Sequence, residues 1–220
     1  MTIILIALNV LMFLLESLAG GSEDIRVALR FGAYYAPYVL GDGEWYRLFT
    51  SVFLHFGPEH LGSNMLSLYV LGSFVEQYFG RLRYLVIYLI SGLCGNLLVM
   101  GIDMARWNAA GLSALGPEAA AAASVYGSFR VSAGASGAIC GLLGVFLVFA
   151  LMPRMKRLFP MRRVLISVLL VLAPGFSDRS ISMTAHIGGL IGGFLITLLI
   201  CFLRAGAGQK GALQQNGPDD

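Results

Sequence analysis

Charge is what this 220-residue chain has least of. Asp, Glu, Lys and Arg together make up 12% of it, about half the usual share, against 57% hydrophobic residues. Acidic residues are absent over whole regions: none lies between Ser132 and Ser177, and after Asp178 there is none until the last two positions. That gap leaves few ionisable groups for an ion or proton path and argues against a small transporter or channel. Cysteine occurs three times, as Cys94, Cys140 and Cys201, at spacings that make neither a metal motif nor a disulfide framework. Histidine also occurs three times, as His55, His60 and His186, and HExxH is absent, so a zinc site is a weak rival. No metal is expected. The formal charge of +3 is too small to suggest a nucleic-acid partner. No basic segment precedes the first apolar run, which favours a retained first span over a cleaved signal.

What is present is apolar sequence in runs close to the roughly 20 residues that cross a bilayer. Six spans are read, at about 2–19, 59–78, 82–102, 135–152, 158–176 and 181–203, giving an all-α membrane protein in one domain, 1–204. The fifth is the shortest, with only 164–177 between Arg163 and Asp178. A polar C-terminal tail, 205–220, reads as disordered. The connection 20–57 carries Tyr34, Tyr35, Tyr38, Trp45 and Tyr46, residues at home at the headgroup level. Pro58 suits the first turn of the second span. A second long connection, 103–133, precedes the fourth span and reads as a lid or an interfacial segment. Nine basic residues fall on one side: Arg81, Arg83, Arg154, Lys156, Arg157, Arg162, Arg163, Arg204 and Lys210. Six fall on the other, over longer loops, which puts the first side and both termini in the cytoplasm. The expected location is a plasma membrane of bacterial inner-membrane type, crossed several times, with the lipid bilayer as constant partner.

In this topology the second, fourth and sixth spans all begin on the non-cytoplasmic side. His60, Asn64, Ser136 and His186 therefore lie at similar depth below one surface. His60 and Asn64 are four apart and share a helix face. Gly137, Gly141 and Gly144 form a stripe on the fourth helix, about 80–140° round from Ser136. Gly189 and Gly193 lie within about 60° of His186 on the sixth. Small residues let transmembrane helices approach closely, so packing the fourth on the sixth brings imidazole to hydroxyl, a serine nucleophile with its base. Each piece also has a bland reading. Ser136 is a packing serine, His186 a structural histidine, and His60 with Asn64 a buried polar clamp. Glu16 and Glu59 are the candidate third members but sit on other helices, so a dyad is the simpler arrangement. The backbone N–H of Ser136, with His60 and Asn64, offers donors for an oxyanion. His55 reads as a supporting residue and Glu76 as a hydrogen-bonding residue at a helix end.

These residues carry a resemblance. GASG at 134–137, AHIGG at 185–189, and His60 with Asn64 in HFGPEHLGSN, supported by EWYRLFT at 44–50 and by Glu76 before Gly80, are similar to the rhomboid intramembrane serine proteases in their six-helix form. The likeness covers about 44–200. It implies Ser136 as nucleophile, His186 as general base, and His60, Asn64 and the Ser136 amide as the oxyanion site. It also implies cofactor-free cleavage of single-span or multi-span membrane proteins near the extracytoplasmic end of a transmembrane segment. A catalytically inactive member that binds or chaperones membrane clients is the alternative on the same fold. Two departures stand out. Trp45-Tyr46-Arg47 replaces the family's Trp-Arg pair in the first loop, and Cys140 takes a position that is often aromatic, where it would line the site. The short fifth span, with Pro174-Gly175 near its end, is a candidate gate for substrate.

Overall fold

A computed structural model describes residues 1–112, 129–173 and 182–215, with side chains through 204. The helices are α1 (Thr2–Leu18), α2 (Ile25–Arg30), α3 (Arg47–Thr50), α4 (Gly57–Ser67), α5 (Ser73–Phe79), α6 (Arg81–Ala109), α7 (Ser136–Leu151), α8 (Met161–Leu172) and α9 (Met183–Gln215). A wide turn, Leu68–Gly72, joins α4 to α5, so the second apolar stretch is helical from Gly57 to Phe79. By length and composition alone, Arg81–Ala109 and Met183–Arg204 suffice to cross a membrane; Thr2–Leu18 and Ser136–Leu151 are shorter apolar helices.

The centre of the fold is α7, packed between α6 and α9. Its sequence is apolar all round, and 13 of its 16 residues are buried, as such a helix requires. The outer helices bury one face and expose the other. Leu165, Ile166, Leu169 and Leu170 of α8, and Ile191, Leu195 and Leu199 of α9, stand exposed, the apolar outer surface that suits lipid rather than water.

Lipid offers no hydrophobic drive for one helix to leave it for another, so contact depends on close packing. Here it is close enough that backbones touch. A Cβ on Gly189 would run into the carbonyl of Gly137, one on Gly193 into that of Gly141, and one on Gly144 into the carbonyl of Leu190. On the other flank, a Cβ on Gly188 would stand 2.7 Å from the Cys94 carbonyl, and one on Gly95 2.7 Å from that of Ala185. The two glycine stripes read from the sequence do face each other.

Several boundaries differ from expectation, and the last helix runs on to Gln215, into the stretch read as a disordered tail. The third stretch continues to Ala109, seven residues past 102, taking up part of the long connection. Helix α8 starts at Met161 rather than 158, because residues after Met152 fold back in a tight turn that ends at Pro160, whose missing N–H suits a helix start. Residues 113–128 of that connection, and Pro174-Gly175 after α8, lie outside the described residues.

The packing predicts a contrast between two glycines. Gly189→Ala should cost about 1–3 kcal/mol, since backbone rather than a flexible side chain must give way. Gly62→Ala meets nothing within 4 Å and should be neutral or slightly stabilising. Unfolding midpoints in detergent measure both, and equal midpoints would contradict the close-contact account.

Candidate active site

Ser136 opens α7. It stays partly exposed while the residues following it are buried. At about 1.5 Å per residue, 16 residues span about 24 Å, short of a ~30 Å hydrocarbon layer. Crossing such a layer, a helix this short would leave part of it to a loop, a part that the segment leading into Ser136 could provide. That loop is fixed by hydrogen bonds. Tyr34 and Ser132 exchange backbone N–H···O bonds of 2.9 Å in an isolated antiparallel bridge. Gly134 N–H donates to the Ser51 carbonyl at 2.9 Å, and Ala135 N–H to His55 Nε2 at 3.4 Å. Ser51 is itself held, its hydroxyl accepting from Asn96 Nδ2 of α6 at 2.9 Å while the same amide donates to the Leu48 carbonyl at 2.7 Å. The polar Asn96 of the third apolar stretch thus supports the segment that presents Ser136.

The Ser136 hydroxyl lies 2.9 Å from His186 Nε2. For Nε2 to accept, Nδ1 must carry the ring proton, and Nδ1 is buried without a partner. No carboxylate stands behind it among the described residues. Glu59 is exposed on α4, and buried Glu16 accepts the His55 backbone N–H at 3.3 Å instead. Nor do three His, Cys, Asp or Glu side chains gather as a metal site among the described residues.

His60 and Asn64 arrive from α4. Gly134 sits at φ +136°, a left-handed value that disfavours other residues. A methyl placed there would stand 2.8 Å from His60 Cε1, 3.0 Å from His60 Nε2 and 3.7 Å from Ser136 Oγ. The glycine's missing side chain is thus a space that His60 and Ser136 share. Asn64 is buried, and its Nδ2 donor has no protein partner. The Ser136 N–H belongs to the first turn of α7, where backbone donors have no acceptor within the helix and the helix dipole is positive. Of these groups, His60 shares the space at Gly134 with the hydroxyl, and the amide belongs to the same residue as the hydroxyl. Cys140 is buried one turn further along α7 and has no described contact with His186.

Two features exceed the sequence reading. His55 is 1% exposed, receives the Ala135 amide next to the serine, and meets His60 edge-on with ring centroids 5.1 Å apart. Arg47 anchors the first loop despite the altered Trp45-Tyr46-Arg47 order: it donates to the Leu29 carbonyl at 2.7 Å and the Ala33 carbonyl at 3.0 Å, pairs with Glu44, and lies over the Tyr38 ring. Only the histidine count and the Arg in EWYRLFT hinted at these roles. Glu76 at its helix end accepts from the Thr2 backbone N–H and hydroxyl, the hydrogen-bonding part expected of it.

Among the described residues, a helical bundle with apolar outer faces, and a serine and an imidazole in contact inside it, defines a class of integral membrane protein. The Rhomboid domain signature matches residues 42–202. The chain belongs to the rhomboid family. It is 36% identical over 207 residues to rhomboid protease GluP of Bacillus subtilis, covering 94% of this chain and 36% of that protein. Identity is 32% over 162 residues to YdcA of the same organism, covering 73% and 69%, and 26% over 211 residues to rhomboid protease AarA of Providencia stuartii, covering 90% and 71%. The chain thus spans little more than a third of GluP's length and about 70% of the other two.

Burial, and then the imidazole of His60 beside it, hold His55 down to about 3, so it is neutral at neutral pH. The unfolded chain takes up that proton near the reference value of about 6.5. The unfolded state therefore binds more protons below that value, and stability falls as pH drops from about 6.5 toward 3. A proton on Nε2 would also oppose the Ala135 N–H. The measurement is the unfolding midpoint across that range, and His55→Asn should flatten the slope; an unchanged slope would remove His55 from the account.

Proposed function

We propose that the protein is an intramembrane serine endopeptidase that cleaves transmembrane segments of membrane-protein substrates near their extracytoplasmic end. The observation that carries this reading is the 2.9 Å Ser136–His186 contact at the start of a central helix. Membership of the rhomboid family and similarity to proteins named as rhomboid proteases support it.

In this mechanism His186 Nε2 takes the Ser136 proton as Oγ attacks the scissile carbonyl. The developing oxyanion accepts from the Ser136 N–H, Asn64 Nδ2 and His60. Preorganised donors of this kind are each worth about 10²–10³ in rate. The imidazolium returns its proton to the leaving amine, and water, entering from the non-cytoplasmic side, deacylates the serine by the reverse path. Cys140 would line the cleft. The chemistry uses no cofactor.

The same reading places residues 1–204 in one six-span domain with both termini in the cytoplasm, in the plasma membrane of a bacterium. The basic residues of the short loops favour that orientation. Helix α8 suits the part of gate. Along it only Val164 is buried, so moving it breaks few contacts. The alternative, a client binder without catalysis, would not need a hydroxyl within hydrogen-bond distance of an imidazole.

Labelling by a fluorophosphonate probe and cleavage of a single-span substrate in liposomes test this. Ser136→Ala should abolish both, His186→Ala should reduce both to background, and Asn64→Ala should lower kcat by about 10²–10³. Full cleavage by folded Ser136→Ala would overturn the assignment, and lack of activity in the unaltered protein would favour the client binder.

A further inference from the structure

At the end of the bundle away from Ser136, a groove of about 360 Å³ opens between the Leu68–Gly72 turn with α5 on one side and α8 on the other. Its walls are apolar: Val70, Leu71 and Phe74 face Leu158, Phe159 and Val164, and Phe146 of α7 lies behind. Phe159 joins its two walls at this end. The tight turn after Met152 folds its ring into a cluster with Phe74, Phe146 and Phe149, at centroid distances of 5.0, 5.1 and 5.5 Å. Two polar residues of α8, Arg163 and Ser167, both exposed, also line it.

Arg163 is one of five cations within ten residues, with Arg154, Lys156, Arg157 and Arg162, all exposed. No acidic residue occurs between Ser132 and Ser177 to balance them. None of the five is in an ion pair among the described residues. Stacked apolar rings bounded by unpaired cations at the depth of a membrane surface call for a ligand that is apolar below and anionic above. Clusters of four or more basic residues beside a membrane helix attract anionic headgroups, and a groove beneath one adds a place for a chain.

We infer that the groove between α5 and α8 is a binding site for an anionic diacyl phospholipid, with an acyl chain along Phe74 and Phe159 and the phosphate at Arg163. The site is independent of the catalytic reading. It shares α8 with the proposed gate, so a bound lipid would link α8 to α5 and oppose their separation.

The test is native mass spectrometry of the full chain released from micelles holding equal amounts of phosphatidylglycerol and phosphatidylcholine with matched acyl chains. Phosphatidylglycerol should be retained preferentially, and Arg163→Gln should cut that preference about fivefold. Arg154→Gln, outside the groove, should change it little. Ser167→Trp and Val70→Trp, filling the groove from opposite walls, should each lower retention of both lipids. Equal retention of the two lipids would overturn the proposal. So would equal losses from Arg154→Gln and Arg163→Gln, which mark diffuse attraction to the cluster. Loss of crosslinking to a single-span peptide in the tryptophan variants, with lipid retention intact, would assign the groove to a helix and overturn it too.

Discussion

Backbone contact between α7 and α9 is the constraint on which the rest of this structure depends. Gly137 and Gly141 present carbonyls where Gly189 and Gly193 have no side chain, and the same two helices carry Ser136 and His186. Any side chain in that seam pushes the helices apart, and a hydrogen bond does not survive separation of that size. A hydroxyl–imidazole distance of 2.9 Å is thus a consequence of packing before it is a matter of chemistry. In lipid, where apolar area alone does not hold helices together, glycine is what permits the approach.

That seam fixes one axis of the site, and polar contacts fix the others. Asn96 of α6 holds Ser51, Ser51 holds Gly134, and His55 holds Ala135, so three residues remote in sequence set the segment leading to Ser136. The first loop is secured in turn by Arg47 on two carbonyls and by Tyr34 on Asp103, at 3.0 Å. Buried polar networks of this kind are stabilising only when their members are satisfied. Against that background the unsatisfied groups are Asn64 Nδ2 and His186 Nδ1, with His55 Nδ1, Asn9 Oδ1 and the Tyr84 and Tyr88 hydroxyls elsewhere among the described residues.

Much of this was legible in the sequence because it depends on helical periodicity. Residues four apart share a face whatever surrounds them, so the glycine stripes and the pairing of His60 with Asn64 could be read directly. The convergence of Ser136 with His186 followed from span direction. What escaped was everything carried by loops, since hydrogen bonds between irregular segments leave no period. His55 gave no sign that its ring would receive the Ala135 amide, and Arg47 none that two carbonyls of α2 and the turn after it would close on its guanidinium. Tight turns also hid the folding back of Phe159, and with it the groove.

The two ends of the bundle answer different demands with the same elements. At one end of α7 Ser136 is partly exposed beside His186. The other end closes on stacked aromatics between α5 and α7, with Phe79 and Phe149 parallel at 5.9 Å. Helix α8 joins this closed end through Val164, Val168 and the turn before it, while most of its other residues are exposed. The proposed lipid site lies beside the aromatic cluster at that junction. A ligand there would act through the position of α8, the helix proposed as gate, without touching Ser136 or His186.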